Sequence, residues 1–179
     1  VSPIKWLAGL GLPERTIAAH CVVVSREDMQ IMLEHNIIPV HNSVSNLKLA
    51  SGIAPVKAML ETGIKPALGT DGNGSNNNLD MFREIFTASI LQKGFTMDAQ
   101  ALDAYSAVKM ATVNGADALG YKGGMLKEGY AADVLVLYPS LFLQPVHDVY
   151  GIIAYSAESC DVRYNIVNGR ILVKEGECL

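Results

Sequence analysis

Pro66-Ala67-Leu68-Gly69-Thr70-Asp71-Gly72-Asn73-Gly74-Ser75-Asn76-Asn77 passes from a short apolar run to a single carboxylate and then into glycines and amides. An amphipathic segment begins at Leu79, so the succession reads as strand, polar tip, helix. An aspartate that closes a buried strand is costly to desolvate, and a metal ion or a hydrogen-bonded proton offsets that cost most effectively. Two earlier stretches repeat the design, Thr16-Ile17-Ala18-Ala19-His20 and Ile37-Ile38-Pro39-Val40-His41. Three apolar runs therefore end on residues able to bind metal or move a proton.

Between these runs the spacing predicts helices. Ile4, Trp6, Leu7 and Leu10 open the chain on a helical period closed by Gly11 and Pro13. Ser25 with Glu27 and Asp28 reads as a helix start, and Met29, Met32 and Leu33 give the stripe behind it. Asn42 to Gly52 reads as a polar loop, and Pro55 to Gly63 as a helix bounded by proline and glycine. Leu79, Phe82, Ile85, Phe86 and Ile90 fall on one side of a helix of about four turns. Ala99 to Met110 and Val113 to Leu119 read as two further helices. Strands joined by connections this short are expected to be parallel, with right-handed crossovers. A parallel sheet buries both faces, which would account for the unbroken run Cys21-Val22-Val23-Val24. From Met125 the texture turns β-rich, with an Asn168-Gly169 hairpin turn between Tyr164-Asn165-Ile166-Val167 and Arg170-Ile171-Leu172-Val173. The division expected is 1–124 as the α/β part and 125–179 as a β-rich tail.

The 179 residues are half apolar, enough for a substantial core, and 14 basic against 18 acidic side chains give a net charge of −4. Without a basic block, nucleic acid and anionic membrane are poor partners, and a small-molecule ligand is expected. Cys21, Cys160 and Cys178 are odd in number and far apart, which points to a reducing, cytoplasmic setting. No apolar run is long enough to cross a bilayer.

In parallel α/β folds the carboxyl ends of the strands carry function, because the loops there vary while the sheet holds them. His20, His41 and Asp71 occupy that position. His35, at an expected helix end, and His147, in an irregular stretch, read as plain structural residues. The Gly72-Asn73-Gly74 loop could face phosphate, but it lacks a Walker lysine and the full dinucleotide glycine pattern.

Ala18-Ala19-His20-Cys21, the run from His41-Asn42-Ser43 through Ser45-Asn46 to Pro55-Val56, and Gly69-Thr70-Asp71-Gly72 with Ser75-Asn76-Asn77 resemble the metal-dependent amidohydrolase superfamily. The similarity is to the methylthioadenosine/S-adenosylhomocysteine deaminase branch, beside triazine hydrolases and guanine deaminases. Met110-Ala111-Thr112-Val113-Asn114-Gly115-Ala116 and Gly129-Tyr130-Ala131-Ala132-Asp133 extend the resemblance over nearly the whole chain. It implies a (β/α)8 TIM-type barrel, of which this chain would hold about the last three strands, and a small β-sandwich tail. It also implies one divalent metal, zinc foremost and iron as the alternative, and hydrolytic release of ammonia from an adenosine-type or related N-heterocycle. By the same resemblance Asp71 would bind the metal and take the water's proton, and His20 would hydrogen-bond the attacking water or the substrate. Ser75 would face the substrate, and His41 would contact substrate or support its loop.

The family's His-x-His pair and His-x-x-Glu are missing, since the four histidines are His20, His35, His41 and His147. A catalytic mononuclear site takes about three protein ligands and an open position. The chain is therefore expected to be the C-terminal part of a longer enzyme, with metal lost from the isolated fragment, and to form a homo-oligomer. The competing expectations are a non-catalytic partial-barrel module that serves folding or assembly, and a nucleotide-binding α/β domain using the Gly72–Ser75 loop.

Overall fold

A computed structural model describes residues 1–13 and 15–179. In chain order the elements begin with α1 (Pro3–Gly9), β1 (Ile17–Ala19), α2 (Arg26–Glu34), β2 (Ile38–His41), α3 (Ser43–Lys48), α4 (Val56–Thr62) and β3 (Ala67–Leu68). There follow α5 (Asn73–Asn76), α6 (Met81–Thr96), α7 (Ala104–Ala111) and α8 (Val113–Leu119). The tail holds β4 (Val134–Leu137), α9 (Val149–Tyr155), β5 (Val162–Val167), β6 (Arg170–Lys174) and β7 (Glu177–Cys178). Two separate sheets result, a parallel β1-β2-β3 and an antiparallel β4-β5-β6-β7.

The local reasons for these elements are those expected of the sequence. Ser25 caps α2 in a reciprocal capping box with Asp28, and Gly63 ends α4 at φ 95°, a left-handed backbone that glycine adopts without steric cost. The parallel register pairs Ala19 with Val40 and Val40 with Ala67, then His41 with Leu68. Register partners share a side of the sheet, so His41 faces the same way as Leu68. Leu68 packs with Ala54, Val56, Ile85, Leu102 and Met110 in the core under α4, α6 and α7. A second cluster, Met29, Met32, Ile37, Met59 and Ile64, fills the space beside α2 and α4.

Four expectations are corrected. Asn42–Gly52 is not all loop: Ser43–Lys48 forms α3, and its first four residues are buried. A single short helix turn satisfies backbone groups that a buried loop would leave unpaired. Cys21–Val24 is not strand. The chain turns left-handed at His20 (φ 68°) and Cys21 (φ 47°), and Val23 ends 90% exposed. Helix α6 buries only Ile85 fully of the expected stripe: Leu79 precedes the helix and is 64% exposed, Phe86 and Ile90 are 42 and 45% exposed, and Glu84, Ala88, Ser89 and Gln92 are buried instead. Its inner side chains bond to backbone instead: Gln92 donates to the Ala54 carbonyl (2.9 Å) and accepts from the Lys57 N–H (3.3 Å). Finally, the tail is not purely β. Helix α9 packs on α6 and α7, and its Ala154 joins the main core.

Candidate active-site rim

The carboxyl ends of β1, β2 and β3 bring His20, α3 and Asp71 together. The His20 N–H donates to the Val40 carbonyl (2.9 Å) and the Gly69 N–H to the His41 carbonyl (3.1 Å), so pairing continues one step past each strand. At Asp71 the chain turns left-handed (φ 61°), which aims the carboxylate back across the rim. Asp71 Oδ2 accepts from Ser45 Oγ (2.6 Å) and Ser75 Oγ (2.7 Å), and Oδ1 accepts from the Gly72 N–H (2.7 Å). His20 Nε2 stands 3.9 Å from Oδ2.

The Ser45 hydroxyl, then the Ser75 hydroxyl and the Gly72 N–H, hold the Asp71 carboxyl down at about 2, with a smaller contribution from His20. Asp71 is thus an anion at any ordinary pH. His20 Nδ1 lies 2.8 Å from Asn46 Oδ1; an amide oxygen only accepts, so Nδ1 carries the proton and Nε2 is the nitrogen presented to the rim. Both rim groups remain partly open to solvent.

Of the residues singled out in the sequence, the structure gathers Asp71, His20 and Ser75. His41 does not join them. It is 2% exposed, on the Leu68 side of the sheet, and neither ring nitrogen has a partner among the described residues. Burial pushes its pKa down to about 4, so it is neutral. His35 and His147 are exposed, away from the strands' carboxyl ends.

Ser45 and Asn46, which touch Asp71 and His20, carried no role in the sequence reading. The signal available for them was the alternation of small polar residues directly behind a strand that ends on histidine. Burial raises the thiol of Cys21, beside His20, to about 11, and its Sγ donates to the Ala18 carbonyl (3.3 Å).

Among the described residues no three His, Cys, Asp or Glu side chains come together as a metal site. A mononuclear zinc site takes about three protein ligands, more than the one carboxylate and one imidazole gathered at this rim. A cavity of about 500 Å³ lies elsewhere, between Phe82, Arg83 and Phe86 of α6 and Tyr155 to Cys160, and contains no rim residue.

The model of the amidohydrolase family matches residues 1–172. The chain belongs to the amidohydrolase family. It is 49% identical over 164 residues to a 5'-deoxyadenosine deaminase of Methanococcoides burtonii, covering 91% of this chain and 38% of that protein. It is 47% identical over 177 residues to a 5-methylthioadenosine/S-adenosylhomocysteine deaminase of Carboxydothermus hydrogenoformans, covering 97% of this chain and 41% of that protein. Among solved structures it resembles a zinc-bound adenosine deaminase from Xanthomonas campestris, with TM-score 0.95 and 37% identity over 99% of this chain and 41% of the other. This amidohydrolase chain thus spans about two fifths of the length of the proteins it matches.

Proposed function

We propose that this chain is the C-terminal part of a metal-dependent aminohydrolase that deaminates an adenosine-type or related N-heterocyclic substrate, replacing an amino group with the oxygen of water and releasing ammonia. The observation that carries the reading is the Asp71 carboxylate, fixed by three donors at a strand's carboxyl end with His20 Nε2 3.9 Å away. In this reading 1–124 supplies the last three strands of a (β/α)8 barrel, and 125–179 supplies part of a composite sandwich. Deaminase-named relatives and the zinc-bound neighbour support it.

Each residue has a separate task. Asp71 is a ligand for the divalent metal, with zinc favoured, and accepts the attacking water's proton. Oδ2 already holds two hydroxyls, so Oδ1, bonded only to the Gly72 N–H, is the oxygen with room for another donor. A carboxyl this acidic is a weak base by itself, and the chemistry a bound divalent metal supplies is to make the water correspondingly more acidic. His20 orients that water or the substrate through Nε2, and Asn46 holds the ring. Ser75 stands where it can meet substrate once its hydroxyl turns from Asp71. With Asp71 as the one metal ligand it has to offer, the chain by itself is inactive and retains no metal. The complete enzyme is cytoplasmic and a homo-oligomer in this proposal.

The test uses the full-length protein. Asp71→Asn keeps the shape but removes both the charge that holds metal and the base, so the rate of ammonia release should fall by about 10⁴-fold or more. His20→Asn should cost less, because it weakens a hydrogen bond to the water and leaves the base in place. Metal content and thermal melts accompany the assay. Near-normal turnover by Asp71→Asn would end the proposal.

A further inference from the structure

We propose that Glu84 is the positioning residue of the rim: its buried carboxylate clamps α3 and α5 to one point, so that Ser45 and Ser75 meet on the same oxygen of Asp71. The inference rests on the deaminase reading above.

Glu84 lies in the first turn of α6 and is fully buried. No cation faces it among the described residues. Every hydrogen bond its carboxylate makes is to a donor. Oε2 accepts from Ser43 Oγ (2.5 Å) and the Val44 N–H (3.3 Å), and Oε1 accepts from Asn76 Nδ2 (2.7 Å). A buried carboxylate is expensive, and replacing one with a well-packed apolar side chain is often neutral or stabilising. Three donors and the positive end of α6 offset that expense here, but space-filling alone would not call for a charge.

What the carboxylate touches gives it a task. Ser43 and Val44 begin the helix that carries Ser45, and Asn76 follows Ser75 in the chain. Asn76 Nδ2 also donates to the Thr70 carbonyl (2.6 Å), the peptide that leads into Asp71. One carboxylate thereby fixes both hydroxyl donors of Asp71 and the backbone that carries Asp71 itself. Lys48 Nζ, at the far end of α3, adds an outer tie to the Gly74 carbonyl (3.1 Å). Misplacement of a reacting group by about 1 Å can cost about 10²-fold in rate, so loosening this clamp should be felt at Asp71.

Glu84→Gln keeps the volume but turns an amide N–H₂ toward either Val44 N–H and Ser43 or Asn76 Nδ2, setting donor against donor. In the full-length protein with zinc supplied, it should lower kcat at least tenfold with KM changed less than threefold, and lose metal faster to a chelator. Asn76→Ala leaves Glu84 itself in place but removes both bonds of Asn76 Nδ2, to Glu84 Oε1 and to the Thr70 carbonyl, and should lower kcat in the same sense by about tenfold. It decides the matter if Glu84→Gln does not fold. A residue that only stabilised the fold would lower the melting temperature and leave kcat per folded, metal-loaded site unchanged. Wild-type-like kcat, within twofold, in folded Glu84→Gln or, failing that, folded Asn76→Ala would overturn the inference. Asp71→Asn run beside them separates the two levels. If it is inactive while the clamp variants are normal, only the clamp falls; if it is active, the deaminase reading falls and the clamp with it.

Discussion

His41 shows how the fold uses a titratable side chain away from the rim. It is neutral in the native protein because burial lowers its pKa from 6.5 to about 4. In the unfolded chain the imidazole takes a proton near its ordinary value, so acid favours unfolding. The contribution is fully present above about pH 6.5 and is lost as pH falls toward 4, reaching about 3 kcal/mol at most. Denaturant unfolding of the full-length protein at pH 7.5 and 5.0 should therefore show a larger drop in stability for wild type than for His41→Gln. Equal drops would show that His41 does not govern this acid limb. Asp71 belongs to another pH range: its carboxyl is depressed to about 2, so its stabilising bonds persist above its ordinary value and fail only as pH falls through about 2.

At the scale of elements, the turn after α8 docks its backbone against the junction of α7 and α8. A Cβ on Gly124 would stand 2.6 Å from the carbonyl carbon and oxygen of Thr112 and 2.7 Å from the Val113 nitrogen, and its φ is +73°. Gly124→Ala meets both a rigid neighbour and an unfavourable dihedral, and should cost about 1–3 kcal/mol or more, read as a lower melting temperature. An unchanged melt would mean that this turn can move away freely. The legible elements were those with local signals: the Ser25–Asp28 capping box, the glycine that ends α4, the Asn168-Gly169 hairpin and the strand ends at His20 and Asp71. Helix α3 was hidden because its polar side chains, Ser43, Ser45 and Asn46, are buried by bonding to Glu84, Asp71 and His20, partners 26 to 41 residues away. The inward face of α6 was misread for the same reason. Glu84 and Gln92 look solvent-facing in a hydrophobic pattern, and only the fold reveals the backbone and side chains they hold. The rim was legible as Asp71, His20 and Ser75, while Ser45, Asn46 and Glu84 needed coordinates.

Over the whole molecule, among the described residues β1 and β3 each have a single neighbour in the parallel sheet, and Ile17 on β1 and Trp6 and Leu10 before it in the chain stay substantially exposed. Unpaired strand edges with apolar surface beside them drive association. The chain expressed alone should therefore dimerise or aggregate, as read by light scattering across a concentration series, and a monodisperse monomer at high concentration would contradict this. The tail behaves differently, because α9 returns to the core. Ala154 is buried among Ala54, Leu102 and Met110, Tyr150 meets Tyr105 edge-on at 4.9 Å, and Lys93 donates to the Tyr155 hydroxyl. Lys127 and Glu128, by contrast, sit on an exposed connection. A peptide-bond scission there would sever the covalent thread and leave the tertiary one: the two pieces would travel as a single nicked particle and separate only in denaturant. The same connection is where the chain could be supplied as two polypeptides that complement one another.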